Sequence, residues 1–172
     1  MNKIFLYSIT LVCLAVLTAH AEYTFKHNTN ETDKTEIFIA EGNQLAPEFQ
    51  LNLSKVVKAK KKKKPLFFIT IVYEAPLSLS IGSRKSLVLI IDGKKKGFSP
   101  YGKVFRKDFS DSVYETAEYR VPIKLIKKIA EAKKVDVKLR GGLKAIDGSF
   151  SEENFNHFRR FLIDIDTPPN GT

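Results

Sequence analysis

The chain has 172 residues, 43% of them hydrophobic, so it is long enough to bury the core of one folded domain. It contains 29 Lys and Arg against 19 Asp and Glu, and the formal net charge of +10 favours anionic partners. Its single cysteine, Cys13, excludes a disulfide framework within the chain and a zinc site built from several thiolates.

The N-terminal segment has the pattern of a secretory signal peptide. A short basic start (Asn2, Lys3) precedes an apolar run over 4–17, and 19–21 supply a small-x-small cleavage site. The apolar run is shorter than the roughly 18–20 residues that a membrane-spanning helix needs. We therefore expect 1–21 to be cleaved, leaving a cysteine-free chain that is periplasmic or secreted. The abundance of Lys, Ile and Asn favours a bacterial source.

Residues 22–34 are polar and show little periodicity, which predicts a mobile leader ahead of the folded domain. The chain then has short runs of alternating or continuous apolar residues, bounded by turn residues, which predict β-strands. These predicted strands cover 35–40, 47–53, 66–73, 86–91, 104–109, 113–121, 135–139 and 143–146. Turns are expected at 41–43, Asp92-Gly93 and Asp147-Gly148, and a short helix is the alternative for 47–57.

A lysine-rich run interrupts this order of strands. It consists of Lys55, Lys58 and Lys60–Lys64, and Pro65 ends it. Five consecutive lysines repel one another, so we expect a solvated loop. The run is either an anion-binding arm or a gatekeeper that keeps the apolar strand 66–73 from pairing between molecules.

Two amphipathic helices are predicted in the second half of the chain. The first covers 122–133, with Pro122 suited to its first position and an apolar stripe that includes Ile126 and Ile129. The second covers 152–164 and is capped by Ser149 or Ser151. Residues 167–172 contain two prolines and are expected to form a loose tail.

Together these elements predict an α+β fold, with a mainly antiparallel sheet of six to eight strands covered by the two helices. A flattened barrel closed by the C-terminal helix is the alternative. No internal repeat or linker divides 35–166, so we expect a single domain there.

The positive charge is concentrated in the middle of the chain, since residues 51–142 contain 23 basic and 8 acidic side chains. The candidate anion-binding residues are therefore Lys55, Lys58, Lys60, Lys61, Lys62, Lys63, Lys64, Lys124, Lys127, Lys128 and Lys134. Lysine lacks the planar fork with which arginine binds phosphate, so we expect diffuse recognition of an anionic polymer or a membrane surface.

Glu115 is the acidic residue with a catalytic interpretation, because strand alternation places it with Val113 and Tyr119 on one face. No partner set for a reaction accompanies it, and a strand-end position or a lysine neighbour accounts for it without catalysis. His157 is expected on the surface of the second helix. The sequence has no motif for a nucleotide, a metal or a hydrolase site, so no cofactor, metal or small-molecule ligand is expected.

Three hypotheses about function follow from these patterns. The favoured one is an exported, non-enzymatic basic domain that binds an anionic surface or polymer. The second is a structural or envelope-assembly protein that binds another protein through a sheet edge or an apolar patch. The third is a small hydrolase that uses Glu115. Salt dependence separates the first two, because only electrostatic binding falls steeply with ionic strength.

Overall fold

The computed structural model describes residues 22–32, 34–58, 64–142 and 144–167. The predicted signal peptide, Lys60–Lys63 and residues 168–172 of the predicted tail lie outside the described residues, so the expectations for them stay predictions.

Ten strands and two α-helices are found in the described part of the chain. In chain order they are β1 (Thr24–Asn30), β2 (Thr35–Ala46), β3 (Phe49–Lys58), β4 (Leu66–Ala75), β5 (Leu87–Ile91), β6 (Lys94–Phe98), β7 (Phe105–Asp108), β8 (Val113–Val121), α1 (Ile123–Ala130), β9 (Val135–Arg140), β10 (Ala145–Ser149) and α2 (Glu152–Asp164).

The strands form two antiparallel sheets. The larger sheet has six strands in the order β1-β2-β3-β4-β8-β7, and the smaller has four in the order β10-β9-β5-β6. The predicted α+β class with mainly antiparallel pairing is confirmed, but the strands number ten where six to eight were expected. The two additional strands are β1 and β6, whose polar sequences show no apolar alternation.

The central strands of the larger sheet bury every second residue, as their alternation predicts. The pairing of β3 with β4 and of β4 with β8 aligns Leu51, Ile71 and Ala117 across the sheet. All three side chains are at most 1% exposed. The helical alternative for 47–57 is therefore excluded.

The buried face of the larger sheet packs against the smaller sheet and both helices. One core cluster joins Ile71 of β4, Leu89 of β5, Ile129 of α1 and Phe158 of α2. Burying a side chain of this size contributes about 1.5–3 kcal/mol, so these contacts between layers are the main stabilising term of the fold.

The first helix is shorter than the predicted range 122–133. It begins at Ile123, because Pro122 is an extended N-cap with φ −75° and ψ 146°, and it ends at Ala130. Beyond that point the backbone N–H groups of Lys133 and Lys134 each donate to Asp92 Oδ1 at 3.0 Å. Because these two N–H groups bond to another loop, they cannot continue the helical ladder.

The second helix has the predicted bounds, and its cap is Ser151. The Ser151 hydroxyl accepts the Asn154 N–H at 3.3 Å, and the Asn154 amide oxygen accepts the Ser151 N–H at 2.9 Å. Ser149, the other predicted cap, donates instead to Asp136 Oδ1 at 2.7 Å. The two hydrogen bonds between Ser151 and Asn154 satisfy N–H groups that a helix start otherwise leaves unpaired.

The prediction that residues 22–34 form a leader ahead of the fold is corrected by the structure. Seven of these residues form β1, which pairs antiparallel with β2 from Thr24 to Asn30. The Tyr23 hydroxyl also donates to Asp164 Oδ2 of α2 at 2.8 Å. An edge strand is held by backbone hydrogen bonds, so a polar sequence without apolar alternation can form one.

Two of the three predicted turns lie within strands. The expected turn at 41–43 is a bulge in β2 with Gly42 at φ 103°, and the strand continues beyond it. Gly148 lies inside β10, where a Cβ would come within 2.9 Å of Phe49 Cζ, so this glycine permits a close approach of two strands. The turn at Asp92-Gly93 is confirmed, with φ 47° and 79°, and joins β5 to β6.

Candidate anion-binding surface

Two clefts meet at Pro122, where β8 passes into α1. The first has a volume of about 600 Å³ and lies between the start of β4 and the end of β8. The second has a volume of about 400 Å³ and lies between β6 and α1. Their cationic lining residues, which we call the Pro122 basic surface, are Lys64, Lys94, Lys95, Lys96, Arg120, Lys124 and Lys128.

The hairpin turn at Asp92-Gly93 brings the three lysines of β6 beside α1. The Asp92 carboxylate holds the loop that follows α1 through the N–H groups of Lys133 and Lys134. This contact fixes the end of the β5–β6 hairpin next to the helix. Lys94–Lys96 are exposed along the edge strand, and Lys124 and Lys128 lie one turn apart on the helix opposite them.

None of the seven cations of the Pro122 basic surface forms an ion pair with another described residue, and no carboxylate lines either cleft. Some basic residues elsewhere on the fold do have acidic partners. Lys134 lies 3.1 Å from Asp136, and Lys138 lies 3.1 Å from Asp147. The positive charge around Pro122 is therefore uncompensated by described residues, whereas the charges of Lys134 and Lys138 are compensated.

The structure places the predicted anion-binding lysines in different surroundings. Lys64, Lys124 and Lys128 belong to the Pro122 basic surface, and Lys127 is exposed on α1 but lines neither cleft. Lys58 lies at the end of β3 and lines neither cleft. Lys60–Lys63 lie outside the described residues.

Lys55 and Lys134 have structural contacts that occupy their ammonium groups. Lys55 Nζ donates to the Ile165 carbonyl at the end of α2 at 2.8 Å and lies 5.0 Å from the centre of the Phe38 ring. A cation in this position offsets the negative end of the helix dipole. Lys134 is paired with Asp136. Neither residue contributes a free charge to the Pro122 basic surface.

Sequence reasoning missed Lys94–Lys96 and Arg120 as members of the site. The sequence signal is three consecutive lysines after a hairpin turn, a pattern that is as typical of an ordinary solvated segment as of a binding site. Only the pairing of β6 with β5 and the packing of α1 bring these lysines together with Lys124 and Lys128.

Glu115 has a structural position near the start of β8. Its side chain is 1% exposed and accepts hydrogen bonds from the Ser78 hydroxyl at 2.6 Å, the Ser80 N–H at 2.9 Å and the Ile81 N–H at 2.8 Å. Burial raises the pKa of Glu115, but hydrogen bonds to the ionised carboxylate outweigh it and hold the pKa below its ordinary value. The carboxylate therefore anchors the loop after β4 to the sheet.

The expectation that His157 lies on the surface is corrected, because its side chain is buried and only 7% exposed. Its ring lies 5.1 Å from that of Tyr23, next to the β1 strand that the sequence analysis did not predict. Burial lowers the pKa of His157. This histidine is part of the contact between α2 and the N-terminal segment.

None of the described helices is long and apolar enough to cross a membrane. Within the described ranges, no group of three or more His, Cys, Asp or Glu side chains is arranged to hold a metal ion. No protein-family model matches the chain, and neither a curated protein nor a solved structure matches it. The geometry of the Pro122 basic surface is therefore the basis for a functional assignment.

Proposed function

We propose that this protein is an exported, non-enzymatic domain that binds an anionic polymer or surface through the Pro122 basic surface. The observation that supports the proposal is the set of seven cations, none of them ion-paired with a described residue, around two clefts without a carboxylate. Export rests on the predicted signal peptide 1–21, so the expected anions are polymers or membrane surfaces outside the cytoplasm.

The uncompensated positive charge determines the range and the salt dependence that we expect for binding. The seven cations repel one another, and an anion that binds between them relieves the repulsion. The attraction acts over about a Debye length, roughly 8–10 Å in physiological salt, and weakens as salt is added. Six of the seven cations are lysines, which act as flexible point charges. Such a surface suits repeated anionic groups on a polymer or membrane more than one phosphate in a fixed pose.

The test compares two variants that lose the same charge from different places. The site variant combines K95Q, K96Q, K124Q and K128Q, and the control variant combines K26Q, K107Q, K138Q and K144Q. Heparin and anionic liposomes are the probes, each titrated across a salt series. A lysine near an anionic membrane is worth about 1 kcal/mol, so the site variant is expected to bind on the order of 100- to 1,000-fold more weakly.

The control variant decides whether a site exists. We expect it to retain most of the affinity, because its lysines lie away from both clefts. Equal losses in the two variants would mean that only net charge matters, and the proposal of a localised site would be abandoned. A separate variant with Lys60–Lys63 changed to Gln measures the contribution of the predicted lysine arm.

A second candidate function is strand pairing with a protein partner at the β7 edge. All four residues of β7 are exposed, and Phe105 and Phe109 at this edge are 54% and 47% exposed. An edge strand offers unpaired backbone groups to an incoming strand. Such a complex would persist in high salt and would be lost in a F105S/F109S double variant, while the site variant at Pro122 would leave it unchanged.

The hydrolase hypothesis receives no support from the surroundings of Glu115. Three hydrogen bonds occupy its carboxylate, and its side chain is 1% exposed. A general base needs a free lone pair within reach of a substrate. A structural role in holding the loop after β4 explains the same observations.

A further inference from the structure

Exposed apolar side chains collect at the β7 edge of the larger sheet. Among the described strands, β7 pairs only with β8, so its other side is open. Phe105 and Phe109 are 54% and 47% exposed. Leu77 is 73% exposed and precedes Ser78, which accepts a hydrogen bond from Arg106 Nη1 of β7 at 2.9 Å. Apolar side chains clustered at an open strand edge are typical of a contact with another protein chain.

The direction of the backbone groups of β7 limits how a second strand can bind to it. The Phe109 N–H donates to the Ser112 carbonyl at 2.8 Å, so the backbone of Phe109 points towards β8. The backbone groups of successive strand residues point to alternate sides, so Lys107 also faces β8, while Arg106 and Asp108 face away from the sheet. An incoming strand must therefore form its hydrogen bonds with Arg106 and Asp108.

A second copy of β7 pairs with these groups in a register that is complementary in charge. When two β7 strands lie antiparallel with Arg106 opposite Asp108 of the other copy, both residues with outward backbone groups are hydrogen-bonded, and two-fold symmetry repeats the pair. Opposite charges then face each other twice. On the other face of the strand, Phe105 lies opposite Phe109 of the other copy, also twice. The neighbouring registers oppose Arg106 to Arg106 or Asp108 to Asp108 and place like charges together.

The side chains of Arg106 and Asp108 leave room for a second ion pair. Within one chain, Arg106 donates to Asp108 Oδ1 from Nε at 3.0 Å and from Nη2 at 2.8 Å, and the two side chains are 46% and 64% exposed. Both bonds end on one oxygen of the carboxylate, so Oδ2 can accept from a second guanidinium. Exposed ion pairs add little affinity, so we assign to these charges the choice of register and not the strength of the contact.

Lys107 opposes this pairing. It lies at the centre of the register, opposite its own counterpart, and like charges directly across an antiparallel pair are destabilising. Its Nζ atom lies 4.7 Å from the centre of the Phe109 ring, on the face where the aromatic pairs form. A lysine in an edge strand is a common protection against uncontrolled pairing. The contact is also small, so we expect a weak dimer with a dissociation constant on the order of 10–100 µM.

We propose that β7 pairs antiparallel with β7 of a second copy of this chain, so that the two larger sheets become one continuous sheet. The pairing rests on the second candidate function, strand addition at the β7 edge, and identifies the partner as this chain itself. β7 pairs with the first residues of β8, whereas the Pro122 basic surface lies beyond the last residue of that strand. A dimer therefore presents two basic surfaces, and an anionic polymer that reaches both would bind more tightly.

Analytical ultracentrifugation of the purified protein, at concentrations below and above the expected dissociation constant, measures the self-association. We expect a monomer–dimer equilibrium. Amide hydrogen exchange then locates the contact. The N–H groups of Arg106 and Asp108 should exchange more slowly as the protein concentration rises, because the dimer pairs them. The Lys107 N–H already faces β8, so its exchange should not depend on concentration.

Exchanging the charges tests the register. R106D opposes two carboxylates and D108R opposes two guanidinium groups, so each variant alone should dimerise at least about tenfold more weakly. An equimolar mixture of the two variants should form a heterodimer, because every opposed pair then has opposite charges. K138D and D147R make the same charge changes at an ion pair between β9 and β10. These two matched controls should leave the dimer unchanged.

Two further variants test the other face of the strand. K107T removes the opposed lysines and should dimerise about threefold to tenfold more tightly, whereas F105S/F109S removes the aromatic pairs and should dimerise at least about tenfold more weakly. D108R and K107T leave the hydrogen bond from Arg106 to Ser78 in place, so they decide the question even if R106D alters the fold.

A protein that stays monomeric at about ten times the highest expected dissociation constant would overturn the proposal. A dimer that persists equally in D108R and F105S/F109S would do the same. A monomer that still forms a salt-resistant complex with another protein, lost in F105S/F109S, would overturn the second copy and leave strand addition in place. A monomer without such a complex would refute both. Neither readout uses heparin or liposomes, so the result is independent of the Pro122 basic surface.

Discussion

Replacing Glu115 with alanine tests the role that the structure gives to this buried carboxylate. In the native fold the carboxylate accepts the Ser80 and Ile81 backbone N–H groups and the Ser78 hydroxyl. The E115A variant leaves these donors facing a small cavity. The Ser78 hydroxyl keeps other partners, because it lies 3.0 Å from Ser80 Oγ and accepts Arg106 Nη1 at 2.9 Å. The Ser80 N–H also has a second acceptor, since it donates to Ser78 Oγ at 3.0 Å, whereas the Ile81 N–H has no such replacement among the described residues.

The expected loss of stability follows mainly from the Ile81 N–H. Leaving one buried donor unsatisfied costs about 1–3 kcal/mol, so E115A should lower the free energy of unfolding by roughly 1–3 kcal/mol. A domain of this size is stable by about 5–15 kcal/mol, so the variant is expected to fold with measurably lower stability. E115Q keeps one acceptor oxygen, so it should cost less than E115A.

Urea unfolding monitored by circular dichroism measures these differences, and E118A is the matched control. Glu118 is exposed, lies three residues from Glu115 on the opposite face of β8, and forms no ion pair with a described residue. Its removal should change the free energy of unfolding by less than about 0.5 kcal/mol. If E115A were as stable as E118A, with the same dependence on urea, the anchoring role of Glu115 would be refuted.

The remaining predictions concern pH, a close backbone contact and the N-terminal strand. The folded pKa of Glu115 is lowered, so its ionised form stabilises the fold above the unfolded pKa of about 4.3. The difference in unfolding free energy between wild type and E115Q should therefore narrow as the pH falls below that value. A difference that widens on acidification would contradict this prediction. G141A should destabilise the fold by about 3 kcal/mol or more in thermal or urea unfolding, because its Cβ would lie 1.7 Å from the Leu79 carbonyl oxygen. G142A is the control, since its Cβ would lie 3.6 Å from the nearest neighbouring atom, and it should leave the stability nearly unchanged. Y23F removes the hydrogen bond to Asp164, so it should lose about 1 kcal/mol of unfolding free energy and make β1 more sensitive to limited proteolysis. An unchanged cleavage rate would mean that this hydrogen bond does not hold the strand.

The sequence predicts best those elements that bury one face. The alternation of Phe49, Leu51 and Leu53 on β3 and the apolar stripe of α2 are direct consequences of burial, and both are found as expected. β1 and β6 were missed for the complementary reason. They are edge strands, held by backbone hydrogen bonds that any sequence can form, so their polar side chains carry no period-two signal.

The functional surface is harder to predict because it depends on contacts between elements distant in sequence. In the sequence, Lys55 and Lys124 are equally good candidates for anion binding. In the structure, Lys55 donates a hydrogen bond to the end of α2, whereas Lys124 lies at an open cleft.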